Sequence, residues 1–116
     1  MNEAWIAQAR GVLAQLAAGG DVPRDEQRAA VKSSLAALVK SAPGRSVEVR
    51  IPPFAAVQVV EGATHRRGTP PAVVETDPQT WLALALGEFS WEQALASGRL
   101  RASGARSDIS ALLPLI

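Results

Sequence analysis

The chain has 116 residues, 47% of them hydrophobic and 20% charged, with a formal net charge of +1. This length predicts one domain spanning residues 1–116, and the composition excludes a disordered chain. A charge so near neutrality argues against nucleic acid as the main partner.

Of the apolar residues 22 are alanine, so volume must come from 12 Leu, 11 Val, 4 Ile, 3 Trp and 2 Phe. A chain of this size buries about 65% of its unfolded surface, enough for one modest core. The absence of cysteine excludes disulfides, thiolate metal sites and thiol nucleophiles, and fits a reducing cytoplasm. The opening MNEAWIAQAR lacks the basic and apolar regions of a signal peptide. No apolar run is long enough to span a membrane. The closing LLPLI is neither a peroxisomal address nor a prenylation box. Ten arginines against two lysines read as the coding bias of a GC-rich genome.

Residues 1–45 read as the helical part. Trp5, Ala9, Val12, Leu13 and Leu16 share one face of a helical period over 3–18, which Gly19-Gly20 ends. A second helix is predicted over 24–40. Pro23 suits its start, Asp25 and Glu26 complement its positive end, and Val31, Leu35, Leu38 and Val39 form its apolar stripe.

The period then switches to two. Val47, Val49 and Ile51 alternate with Ser46, Glu48 and Arg50, as in a half-buried strand. A second strand is predicted over 55–61, a short polar one over 64–67, and a fourth from Val73 to Thr76. Short connections predict antiparallel pairing. Asp77-Pro78 then caps a helix running to about 86, whose Trp81, Leu82, Leu84 and Leu86 make it apolar on most sides. Ser90 and Gln93 form a capping-box pattern for a helix ending near 97. Arg99, Arg101 and Ser103 alternate with Leu100 and Ala102 in a fifth strand. A last helix after Ser107 or Asp108 would align Ile109, Leu112, Leu113 and Ile116. The expected class is α+β: a five-stranded, largely antiparallel sheet with helices packed on one face, the sheet and C-terminal helices occupying 46–116.

The order of the last 45 residues carries a resemblance. Val73-Val74-Glu75-Thr76-Asp77 leads into the helix Pro78–Leu86, then Gly87, the helix Trp91–Ala96, and Ser97-Gly98-Arg99-Leu100-Arg101-Ala102-Ser103-Gly104. This resembles the sterol carrier protein family, whose late region runs strand, helix, Gly, helix, a Gly-flanked basic strand and an apolar terminal helix. The stretch Arg50–Gly62 with Gly68-Thr69-Pro70-Pro71 is similar to the compact, mainly actinobacterial branch. The resemblance covers about residues 46–116. It implies helices over one sheet face, an apolar tunnel between, and binding of fatty acids, acyl-CoA, sterols or phospholipids without catalysis. Related domains occur as second halves of maleylpyruvate isomerases and some acetyltransferases.

The residues themselves offer little catalytic chemistry. His65 is the only histidine, in a polar stretch, and reads as solvent-exposed rather than as a base. No metal-ligand spacing, paired carboxylates, nucleophile elbow or phosphate-cradling glycine loop occurs, and no cofactor is expected. Trp81, Leu82, Leu86, Phe89, Trp91, Leu95, Ile109, Leu112 and Leu113 are the candidate lining of an apolar pocket between sheet and helices, or else an ordinary core. The terminal segment 109–116 would be its lid. Arg66 and Arg67 are candidate contacts for an anionic head group, or else solvated charges. The leading expectation is a non-enzymatic, cytoplasmic lipid-binding protein. The alternative is a protein-interaction module on the same scaffold, self-associating or docking a partner through Trp5.

Gly98 and Gly104 bracket the last strand, and at least one of them is predicted to take a positive φ. Valine there should then destabilise the fold by more than ~1 kcal/mol, read as a lowered melting temperature. Equal melting temperatures for both variants and the parent would show that the glycine pair is incidental.

Overall fold

The protein is described by a computed structural model covering residues 3–62 and 72–116. Two long helices come first, α1 (Ala4–Ala17) and α2 (Arg24–Ser41), packed against each other. The strands β1 (Val47–Ile51), β2 (Ala55–Val59) and β3 (Ala72–Thr76) follow, then α3 (Pro78–Ala85), α4 (Trp91–Ala96) and β4 (Leu100–Ser103). A single 3-10 turn, Ser110–Leu112, precedes an extended terminus.

The described residues form a four-stranded mixed sheet in the order β2-β1-β3-β4. β1 pairs antiparallel with β2 and parallel with β3, and β3 pairs antiparallel with β4. The described residues supply four of the five expected strands, and the predicted strand over 64–67 lies outside them. One expectation, of a largely antiparallel sheet throughout, needs correction. The β1–β3 pairing is parallel because β3 adds to the far side of β1 instead of beside β2. Connection length alone gives no side of the sheet, so the hairpin inference held only for β1 and β2.

Alternation sorts the sheet into two faces. Val47, Val49, Ile51, Val59, Ala72, Val74 and Leu100 are all buried on one. Rows of the opposite face carry Arg50 beside Glu75 and Glu75 beside Arg101. There Arg50 Nη2 lies 3.1 Å from Glu48 Oε1, and Arg101 Nη2 lies 3.4 Å from Glu75 Oε2. These pairs are partly exposed, so each contributes little to stability. α2 packs on β2, α4 on β4, and α3 against both α1 and α2.

The core closes around Trp81, which is 1% exposed. Its indole N–H donates to Ser34 Oγ of α2 at 2.8 Å. Ser34 Oγ in turn lies 2.7 Å from the Ala30 carbonyl and 2.9 Å from that of Val31. A serine inside a helix normally competes with the backbone. Here it provides the acceptor that a buried indole needs. Both predicted caps are present. The Asp77 carboxylate accepts from Thr80 N and Thr80 Oγ1, each at 2.8 Å. Ser90 and Gln93 make a complete capping box. Gly98 and Gly104 both have positive φ, 79° and 90°.

The predicted terminal helix is also corrected. Pro114 brings no backbone N–H, and the residue before a proline is driven out of helical geometry. Leu113 accordingly sits at φ −115° and ψ 146°, and the helix is cut to one 3-10 turn. The extended tail is tied instead to α3, with Leu115 N donating to the Ala85 carbonyl at 2.8 Å.

Removing the indole's acceptor tests the α2–α3 tie. Ser34→Ala should destabilise by roughly 1–3 kcal/mol, because the Trp81 N–H is then buried without a partner. Trp81→Phe added to Ser34→Ala should show non-additivity in a denaturant-unfolding cycle.

Candidate functional site

The late helices are short, so the turn between them sets the site. α3 ends at Ala85 with Leu86 as its cap, and Gly87 follows at φ 78°. A Cβ on Gly87 would meet the Pro114 ring at 3.4 Å, an ordinary contact, so it is the positive φ that calls for glycine at this turn. Phe89 and Ser90 then lead into α4, whose first residue, Trp91, turns back toward α3 and the tail.

Together these segments enclose a cleft of about 480 Å3. Its apolar wall is Leu84, Phe89, Trp91, Leu113 and Pro114, and Glu88 and Glu92 stand among the lining residues as well. Among the described residues no lysine, arginine or histidine lines it. The volume is within the usual range for small-molecule sites. The arrangement suits an apolar body with a neutral or cationic end, since an anionic end would meet the two carboxylates.

The structure divides the predicted lining residues. Phe89, Trp91 and Leu113 come together in this cleft. Trp81, Leu82, Leu86 and Ile109 are buried in the core and contribute nothing to its lining. Leu112 packs half-buried against that core, and Leu95 is 41% exposed on α4. Arg66 and Arg67, the candidate head-group contacts, lie outside the described residues, as does His65. Sequence reasoning missed Leu84, Glu88, Glu92 and Pro114 among the lining residues. The proline was a readable signal: its position in LLPLI forbids the helix that would have carried Leu112 and Leu113 onto one face.

Two further clefts lie on the helical side. One of about 530 Å3 runs between α1 and α2, beside Trp5, Gln8, Ser33 and Lys40. The other, about 350 Å3, lies between α2 and β2 and is lined by Lys32, Leu35, Ala36, Val39, Ala55, Ala56 and Val57. Among the described residues no cluster of histidine and acidic side chains is arranged to hold a metal ion. No helix among them is long and apolar enough to cross a membrane.

Comparison with known families fits this architecture. The chain matches the family described as bacterial SCP ortholog, the sterol carrier protein type, over residues 23–115. It belongs to that bacterial sterol carrier protein-like family. The match takes in α2, all four strands and the cleft, and it begins after α1. No curated protein matches the chain significantly.

The turn that supports Leu113 is held by Asp108, whose Oδ1 accepts from Ser110 N at 2.9 Å. Hydrogen bonds from the Ser110 hydroxyl and then its amide hold the Asp108 carboxyl below its ordinary value of 3.8, against a small opposing effect of desolvation. A depressed value means that the carboxylate supports the folded turn fully above about 3.8 and loses that role as pH falls through the lowered value. The Ser110 amide resonance should therefore titrate with a midpoint below 3.8, and Asp108→Asn should abolish the titration.

Proposed function

We propose that this protein binds the apolar part of a lipid, without catalysis, in the cleft walled by Phe89, Trp91, Leu113 and Pro114. Its family supports a lipid-binding role. The observation that carries this reading is an open aromatic cleft walled in part by the chain terminus, whose extended end is tied to α3 by the backbone bond from Leu115 to Ala85. Chain ends have few restraints, so the tail is the wall most easily displaced to admit a chain. Each methylene that leaves water on binding contributes about 0.8 kcal/mol before the costs of association. Half a dozen contribute about 5 kcal/mol, which by itself makes only a weak site, so more of the chain must be buried for tight binding. Glu88 and Glu92 accept from a hydroxyl or amine end, as in sterols and monoacylglycerols, and repel the carboxylate of a free fatty acid.

The test is calorimetric titration of the purified protein with a long-chain alcohol or monoacylglycerol, a readout that does not depend on Trp91 itself. Saturable binding should weaken roughly ten-fold in Trp91→Ala, the effect of losing about 1.4 kcal/mol of contact. The matching fatty acid should bind more weakly, and Glu88→Gln with Glu92→Gln should narrow the gap. Unchanged affinity in Trp91→Ala, with the domain still folded, would remove the cleft from consideration.

A further inference from the structure

Given the lipid-binding reading of the cleft, on which this rests, we propose that the backbone carbonyl of Ala85 is its head-group acceptor. That carbonyl passes from the Leu115 amide to a donor on the ligand when the tail lifts. The site then selects lipids whose head carries two or more hydrogen-bond donors, a vicinal diol or an amino alcohol.

A helix ends in carbonyls that no further turn satisfies. The end of α3 meets most of them locally. Leu82 O accepts from Leu86 N at 3.0 Å, Leu84 O from Gly87 N at 3.2 Å and Ala83 O from Glu88 N at 2.8 Å. The last two bonds are the closure that a glycine at positive φ permits. None of these amides serves Ala85. Its carbonyl is met from the far end of the chain, by Leu115 N at 2.8 Å. Ala85 is 0% exposed, so water does not stand in for that donor.

The donor is lightly held. Leu113 N turns back to the Ser110 carbonyl at 3.1 Å and Pro114 has no N–H, which leaves Leu115 N to join the tail to α3. Pro114 is exposed, and Leu113 and Leu115 are only half-buried. Leu113 and Pro114 are walls of the cleft, and Leu115 follows them in the chain. Lifting this wall to admit a ligand breaks the Leu115 bond and bares the Ala85 carbonyl. A hydrocarbon laid over that carbonyl leaves it without a donor, at a cost of about ten-fold in affinity. A hydroxyl or amine restores the bond.

The charged groups of the lining call for the same chemistry. Glu88 lies on the turn after α3 and Glu92 in the first turn of α4, both exposed. Neither is in a salt bridge among the described residues. A carboxylate accepts and does not donate. The opened cleft therefore presents acceptors at two places, the Ala85 carbonyl and the carboxylates. A single hydroxyl meets one of them. Two donors on neighbouring carbons meet both, and a protonated amine adds attraction to the carboxylates. An ether or ester head has oxygen but no proton to give.

Calorimetry and amide NMR on the whole protein with decanol, its methyl ether and the vicinal decanediol test this. The diol should bind tightest, decanol about five-fold more weakly, and the ether about ten-fold more weakly again. In Glu88→Ala combined with Glu92→Ala, the diol and decanol should bind alike. Decanol should keep its lead over the ether there, because the Ala85 carbonyl remains. At saturation with decanol or the ether, the Leu115 amide should lose its protection from hydrogen exchange. The Ala85 carbonyl carbon should hold its chemical shift with decanol and move upfield with the ether, which brings no donor. A Leu115 amide still protected at saturating decanol, or equal affinities for decanol and ether in the double variant, would overturn the proposal while leaving the lipid cleft in place. Absence of binding by all three probes to the parent would instead remove the cleft, and this acceptor with it.

Discussion

The hydrogen bond from the Trp81 indole to Ser34 is the constraint on which the core depends. It joins the middle of α2 to the middle of α3, two elements 47 residues apart in the chain, at a point where neither group reaches water. In such surroundings an unmet N–H is expensive, so the bond specifies one arrangement more than it adds net stability. The largest side chain in the core can sit in only one place. Once Trp81 is placed, Leu82, Leu35 and Leu38 have their positions on either side of it, and the sheet's buried valines close the remaining volume. That also accounts for a chain so rich in alanine: small residues fill the spaces between a few large anchors.

The same constraint explains where a ligand cleft is found. Trp81, Leu35, Leu38 and Leu82 are fully buried in the core, and the room left between α2 and β2 is a shallow cleft. Room opens farther along, where α3 has ended and α4 is only six residues long. There the wall is supplied by a turn and a tail rather than by regular structure. The fold thus separates its rigid part from the part able to yield, and the proposed lipid cleft lies in the latter.

Much of this was legible in the residues. Asp77-Pro78, the Ser90–Gln93 box and the two glycines around β4 each carry a local mechanism, and each appears where that mechanism puts it. The period-two run from Val47 to Ile51 gave a strand and its buried face together. What could not be read is what depends on distant partners. Trp81 and Trp91 look alike in sequence, each near the start of a short apolar helix. Both are buried, at 1% and 7% exposed; the serine on α2 fixes the first deep in the core, while the second also lines the cleft beside the tail. The side of β1 taken by β3 was equally hidden, because a connection's length does not record the direction in which it crosses. The terminal helix was a misreading of another kind, since Pro114 was visible and its local rule was outweighed by an apolar spacing.

The open face of the sheet has one more consequence. Alternation of apolar and polar side chains forbids slipping a strand by one residue, but it is blind to a slip by two, which keeps every side chain on its proper face. On this face β1 offers Glu48 and then Arg50, while β3 offers Glu75 beside Arg50. Sliding β3 by two residues toward the start of β1 would set Glu75 against Glu48, exchanging an attraction for a repulsion. The weak, half-solvated charges of the exposed surface therefore do for alignment what the hydrophobic face cannot: they tell the correct pairing apart from its nearest look-alike.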